Sequence, residues 1–382
     1  MKPLKQKIEA IIQGHGHPTG DPLERLLAGA SRLYGRAMQV RNRWYEKDAG
    51  RVKALPCMVI SVGNITVGGT GKTPMTLYLA KMLKGAGYRI AIVSRGYGGK
   101  ASKAGGIVCD GKQMLLDADM AGDEPYMMAK QLGNVPVVIG SNRYEAGMTA
   151  VAQFSPDIIL LDDGFQHRRL KRDLDILLLD ADRPFGNGHL LPRGTLREPP
   201  AAICRAGMIV LTRAEEPDAS RMAFQKRLQE YHLNAAMERI PLFTASHEPY
   251  LNDMVLPENP SEVARAHARS GLDGKSVFAF SGIAKNHDFR ESAARLGCRI
   301  AGFREFSDHH DYLPSDFTDI VQGAEEGRAD MLITTEKDYA RIKGRFSFRL
   351  PLAVLGVSIA IREEETFQHL LRSALGEANL IR

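Results

Sequence analysis

Val59-Ile60-Ser61-Val62-Gly63-Asn64-Ile65-Thr66-Val67-Gly68-Gly69-Thr70-Gly71-Lys72-Thr73-Pro74 runs from an apolar segment into a glycine-rich turn and then a lysine-threonine pair. The apolar segment reads as a buried strand and the chain beyond Thr73 as a helix, which puts the glycines at a helix N-terminus. Gly68, Gly69 and Gly71 let backbone N–H groups, that of Thr70 included, close around phosphate oxygens. Lys72 can then reach the β and γ phosphates, and the Thr73 hydroxyl can ligate Mg²⁺. The expected cofactors are therefore ATP and Mg²⁺. Thr66 stands where the usual G-x-x-x-x-G-K-[ST] pattern has its first glycine.

Outward from this loop, short apolar runs alternate with helical stretches, as in a parallel sheet buried on both faces. Strands are expected at 57–62, 89–93, 135–139, 158–161, 176–179 and 208–211, and a second series at 277–280, 331–334 and 352–357. The fold class is α/β: a P-loop NTPase-type, mostly parallel sheet flanked by helices, with a second, smaller α/β domain. Prolines and asparagines gather between Ile240 and Pro260. The expected organisation is a kinase-like domain over 1–240, a linker over 241–272 and a C-terminal domain over 273–382.

The chain has 382 residues, 44% of them hydrophobic and 25% charged, with 51 basic against 45 acidic side chains. That length exceeds one small core, while a net charge of +6 is compatible with phosphate ligands or an anionic surface without deciding between them. Four scattered cysteines form no C-x-x-C pair, so neither a disulfide framework nor a zinc site is expected. No apolar run approaches the roughly 20 residues that span a bilayer. Over 23–45, however, Leu23, Leu26, Leu27, Ala30, Leu33, Ala37, Met38, Trp44 and Tyr45 recur at helical spacing among arginines. This is a basic amphipathic helix, either lying on a membrane surface or packed on its own domain. Basic residues are not interleaved with a stacking platform of aromatics, so nucleic acid is not an expected partner, and no obligate protein partner is evident.

Three further segments carry chemistry. Ile158-Ile159-Leu160-Leu161-Asp162-Asp163 is an apolar strand ending in two carboxylates, as a Walker B strand delivers an acid to the metal, although Asp-Asp-Gly is also a turn signal. Gly122-Asp123-Glu124-Pro125 reads either as an acidic helix start or as a pair of functional carboxylates. Asp308-His309-His310-Asp311 reads as a surface loop or a site; adjacent histidines have poor spacing for a metal.

Asp162-Asp163-Gly164-Phe165-Gln166-His167 resembles the D-D-G-F-Q-H motif of tetraacyldisaccharide 4'-kinases. Gly63 to Pro74 resembles that family's variant Walker A, including its missing first glycine. Further matches follow in the expected order: Ser94-Arg95-Gly96-Tyr97-Gly98, Gly122-Asp123-Glu124-Pro125, Arg183-Pro184-Phe185-Gly186-Asn187-Gly188, the stretch from Leu191 to Pro199, Asp308-His309-His310 and Thr334-Thr335-Glu336-Lys337-Asp338. The chain departs from the family at Leu191-Pro192-Arg193-Gly194-Thr195, where Leu-Pro-Ala-Gly-Pro is usual, and at Gly282-Ile283-Ala284-Lys285-Asn286, where Gly-Ile-Gly-Asn-Pro is usual.

The resemblance implies transfer of the ATP γ-phosphoryl to the 4'-hydroxyl of a tetraacylated glucosamine disaccharide 1-phosphate, a step of lipid A synthesis. It also implies a peripheral position on the cytoplasmic face of the inner membrane, with helix 23–45 as the anchor. By the same carry-over Asp123 is the proton acceptor coupled to His309, with Lys72 and Asp163 also catalytic. Thr73, Asp162 and Glu124 become the metal set, and Asn64, Arg95, Gln166, His167 and Arg197 the substrate contacts. Arg193 and Arg197 are each suited to a substrate or nucleotide phosphate. Two other readings compete: a deviant Walker A partitioning switch, in which Val67 would have to be lysine, and a soluble P-loop kinase of a small metabolite.

Overall fold

The computed structural model describes residues 7, 8, 10–12, 21–258, 262–269, 271–308, 310–346 and 348–377. Its strands are β1 (Met58–Gly63), β2 (Ile90–Ser94), β3 (Gly106–Cys109), β4 (Val137–Ile139), β5 (Ile158–Asp162), β6 (Leu174–Asp180), β7 (Met208–Thr212), β8 (Leu242–Val255), β9 (Ser276–Ser281), β10 (Arg299–Glu305), β11 (Met331–Thr335) and β12 (Leu352–Ile361). They form one sheet in the order β10-β9-β11-β12-β8-β7-β6-β1-β5-β2-β4-β3. Pairing is parallel except for β3 against β4 and β12 against β8.

β1 lies between β5 and β6 and is buried along its whole length, as its largely apolar sequence requires. Met75, Leu79 and Leu83 of helix Lys72–Gly85 share a core with Ile60, Val62, Leu160 and Ile176. This packing fixes the glycine turn between β1 and that helix.

Residues 241–272 were expected to be a linker, but their first half is strand β8. It runs parallel to β7 over Leu242 to Ala245 and antiparallel to β12 from Ala245 to Val255, so the two halves share one sheet. Pro249 is tolerated because β7 pairs only with the start of β8, leaving that edge open beyond Ala245. The last helix, Glu364–Glu377, was expected with the smaller domain. Instead Phe367, Leu371 and Leu375 pack into the core beneath the glycine turn, and Tyr78 donates to Glu364 at 2.9 Å.

The amphipathic helix spans Pro22–Glu46, with the Asp21 carboxylate capping the Leu23 N–H at 2.8 Å. Leu27, Ser31, Gly35 and Met38 face inward. Ser31 donates to the Leu190 carbonyl and Tyr34 to that of Arg197, both at 2.8 Å, and a side chain at Gly35 would strike Leu190. Leu26, Leu33, Val40 and Trp44 stay 69%, 67%, 68% and 50% exposed, so the helix packs on its domain by one face and offers a second apolar face outward. No described helix is long and apolar enough to cross a membrane.

Candidate active site

The turn after β1 is braced from three sides. Asn64 is fully buried and donates from Nδ2 to Thr70 Oγ1 at 2.9 Å. Thr212, at the end of β7, donates to the Thr70 carbonyl at 3.0 Å. On the third side Val67 N bonds the Thr195 carbonyl at 2.8 Å and Arg197 N the Ile65 carbonyl at 2.7 Å, which zips the segment around Thr195 along the turn. Asn64 was expected to touch substrate; sealed under the loop, it supports the loop instead.

Gly71 caps helix Lys72–Gly85 at φ 84°, a conformation that favours glycine. A Cβ there would meet His247 Nε2 at 2.5 Å. His247 lies on β8, and burial, reinforced by Arg213, pushes its pKa down to about 3, so it packs as a neutral ring against the turn. The asparagine- and proline-rich surroundings of His247 gave no hint of this contact.

β5 delivers Asp162 and Asp163 beside Lys72. Asp163 takes a left-handed φ of 55°, which directs its carboxylate differently from that of Asp162. Lys72 Nζ lies 3.7 Å from Asp163 Oδ1, and Arg197 Nη1 donates to both Asp163 oxygens at 3.0 and 2.9 Å. Burial alone would raise the pKa of Asp163, but Lys72 and Arg197 hold it below the usual range. Asp162 is buried, with hydroxyls of Thr76 and Ser94 at 3.3 and 3.4 Å. Desolvation, then the charges of Glu124 and Asp163, push its pKa up to about 7. The Lys72 charge offsets only part of this, and the incoming charge of a divalent cation suits such a carboxylate.

Helix Asp123–Leu132 starts directly after Gly122, whose φ is 88° and whose Cβ position is filled by the Tyr97 carbonyl. Asp123 and Glu124 occupy its first turn, where helix N–H groups favour carboxylate charge. Met128 and Ala129 of this helix share a core with Met75 and Leu79 of the helix after the glycine turn, and the Glu124 charge is felt at Asp162. Among the described residues no group of three His, Cys, Asp or Glu forms a closed metal cage. Mg²⁺ needs none, since it is commonly held by one or two carboxylates, waters and substrate phosphates.

Around this centre Gln166 donates to the Asn64 carbonyl at 2.7 Å, its Oε1 lying 3.4 Å from Arg197 Nη1. His167 keeps a buried Nε2 without a partner among the described residues. Burial and the neighbouring Arg143, Arg172, Arg169 and Arg41 push its pKa down to about 4, so it is neutral at pH 7. Arg95 is exposed beside an open cavity of about 810 Å³ that also holds Tyr97, Lys100, Ser102 and Lys103. Arg193, suited from sequence to a phosphate, is instead paired with Glu24 of the N-terminal helix at 2.9 Å.

Sequence reasoning passed over Arg143, which is 5% exposed at the end of the loop after β4. Its Nη1 donates to the Gly140 and Ser141 carbonyls at 3.2 Å. Burial lowers its pKa to about 10, and the charges of Asp163 and Asp162 oppose that shift. A lone arginine after a three-residue strand carries no motif to flag it.

From the second half, helix Glu336–Ile342 lies against Asp123–Leu132. Thr335 caps it by accepting from Asp338 N at 3.1 Å, and the buried Asp338 accepts from Gly282 N at 3.1 Å. The Thr-Thr-Glu-Lys-Asp motif thus builds the turn that presents Lys337 to Glu124 at 3.6 Å and Arg341 to Asp123. His309 lies outside the described residues. Its neighbour His310 is paired with Asp316 at 2.8 Å and stacked on Phe306, hence committed within its own half.

The family model for tetraacyldisaccharide-1-P 4'-kinase matches residues 23–376. The tetraacyldisaccharide 4'-kinase of Syntrophus aciditrophicus is 40% identical over 92% of either chain, and that of Desulfatibacillum aliphaticivorans 38% over 98% of this chain and 99% of the relative. A crystal structure of LpxK from Aquifex aeolicus in complex with ATP superposes with a TM-score of 0.67 at 34% identity, covering 92% of this chain and 99% of that one.

Proposed function

The chain belongs to the tetraacyldisaccharide-1-P 4'-kinase family, and on that premise we propose that Asp123 receives the proton of the sugar 4'-hydroxyl while Lys72 and the glycine turn hold the attacked γ-phosphoryl group. The reaction is the ATP-dependent phosphorylation of tetraacyldisaccharide 1-phosphate in lipid A synthesis. What supports this assignment best is the packing of helix Asp123–Leu132, which carries Asp123 and Glu124 in its first turn, against the helix that begins at Lys72, through Met128 and Ala129 with Met75 and Leu79.

Phosphoryl transfer passes through a loose transition state, so the protein's main tasks are alignment and charge stabilisation. An aspartate is a weak base toward a sugar hydroxyl, and the proton leaves only as the bond to phosphorus forms. Asp123 therefore orients the hydroxyl first and takes its proton late, and His309, by resemblance, shares that proton. Thr73 and Asp162, with Glu124 nearby, are the residues that would hold Mg²⁺, whose charge offsets that of the phosphates. Arg197 locks Asp163 beside Lys72 and Gln166 holds the turn; by resemblance both, with His167 and Arg95, serve the disaccharide. The direct test is transfer of label from γ-labelled ATP to a tetraacyl disaccharide 1-phosphate in detergent. Label appearing only as free phosphate would refute a lipid acceptor.

The outward apolar face of helix Pro22–Glu46, flanked by Arg25, Arg32, Arg36 and Arg43, supports peripheral attachment to the cytoplasmic face of the inner membrane. Each anchor buried in lipid contributes about 1 kcal/mol or more. Changing Leu26, Leu33, Val40 and Trp44 together to serine should weaken co-sedimentation with anionic vesicles by at least about 100-fold. Turnover of detergent-dispersed substrate should persist. Unchanged sedimentation would assign the membrane contact to another surface.

A further inference from the structure

We propose that Arg341 is the positioning residue for Asp123: a guanidinium from the second half of the sheet that fixes the orientation of the acceptor carboxylate. The inference rests on the reading of Asp123 as proton acceptor. Arg341 Nε donates to Asp123 Oδ2 at 2.8 Å and Nη2 donates to the same oxygen, so the flat edge of the guanidinium meets the carboxylate. Two donors converging from one rigid edge pin the position of Oδ2 more closely than a single mobile point charge does. Both groups are largely buried, with side chains 10% and 16% exposed, so the pair is shielded from solvent screening.

Arg341 is itself anchored. Its Nη1 lies 3.5 Å from the His310 carbonyl and 3.9 Å from Asp338 Oδ1. Asp338 is fully buried and tied to Thr335 Oγ1 at 2.7 Å and to Gly282 N. A continuous support thus runs from the end of β11 through the Thr335 cap and Asp338 to Arg341 and then across to Asp123. On the other side Asp123 is fixed by its own helix, at whose first position it stands. The carboxylate is gripped between two elements from different halves of the sheet, so its orientation is correct only when helix Glu336–Ile342 is seated against helix Asp123–Leu132. The effect of Arg341 on the reaction passes through Asp123.

The test is a double-mutant cycle on the full-length protein with detergent-dispersed lipid acceptor, reading kcat and both KM values. Arg341→Ala should lower kcat by up to about 100-fold, the scale of a small misplacement of a reacting group, with KM for ATP and lipid changed by less than about 2-fold. Arg341→Lys, which keeps the charge and loses the fork, should recover part of that loss, and guanidinium ion added to Arg341→Ala should recover more. In an Asp123→Asn background, Arg341→Ala should cost less than about 2-fold further, because the group it positions is already gone. Independent, multiplying losses, or no rescue by guanidinium, would overturn the positioning role even if Asp123→Asn alone is severely impaired. If Asp123→Asn retains full kcat, the acceptor reading itself is wrong and the proposal falls with it.

Discussion

Replacing Lys72 with alanine is expected to lower kcat/KM by about 10³-fold or more, most of it in kcat, measured as phosphorylated lipid formed per enzyme at saturating ATP. Lys72 stands in the first turn of its helix, where its proposed task is to reach the phosphates, and it faces Asp163 at 3.7 Å. Without it, Arg197 remains on Asp163, but the charge that lowers the pKa of Asp162 is gone, so the buried acid becomes still more reluctant to ionise. Two losses then coincide: charge stabilisation of the transferring group and a competent metal-side carboxylate. A rise in KM for ATP alone, with kcat intact, would confine Lys72 to ground-state binding.

Asp123→Asn should lower kcat by about 10²–10⁴-fold, the usual worth of a positioned proton acceptor, while KM for either substrate moves little. The amide keeps the size of the side chain and can still accept from Arg341 through its oxygen, so the fold of the turn should survive. What it lacks is the capacity to take a proton. Steady-state kinetics over a range of both substrates separates the outcomes: a pure KM effect would make Asp123 a binding residue.

Much of the nucleotide half is legible in the sequence because its signals are local. A strand, a glycine turn and a lysine-threonine pair lie within sixteen consecutive residues, Val59 to Pro74, and the acids at 162 and 163 end an unmistakable apolar run. β8 was not legible. Glu248, Pro249, Asn252 and Asp253 are loop-forming residues, and only the long antiparallel pairing with β12 makes them a strand. β10 escaped for a similar reason, since an edge strand with exposed Arg299, Arg304 and Glu305 shows no buried face. The proposed site residues lie in motifs that a sequence can flag, whereas Arg143, His247 and Arg341 act through distances that only folding creates. Arg341 is 218 residues from Asp123, and no spacing rule links them. Asn64 shows the converse: its motif singled it out, but burial gives it a bracing task.

Because β8 belongs to both halves at once, the molecule has no place where it can be divided cleanly. A fragment stopping at residue 240 would leave β7 a raw, fully apolar border, Met208 to Leu211, the kind of ribbon that recruits other chains. For the same reason the halves cannot drift apart as beads on a string. Relative movement between them has to be torsion along a common rib, and the side chains that rib carries against the glycine turn, His247 foremost, will register every degree of it.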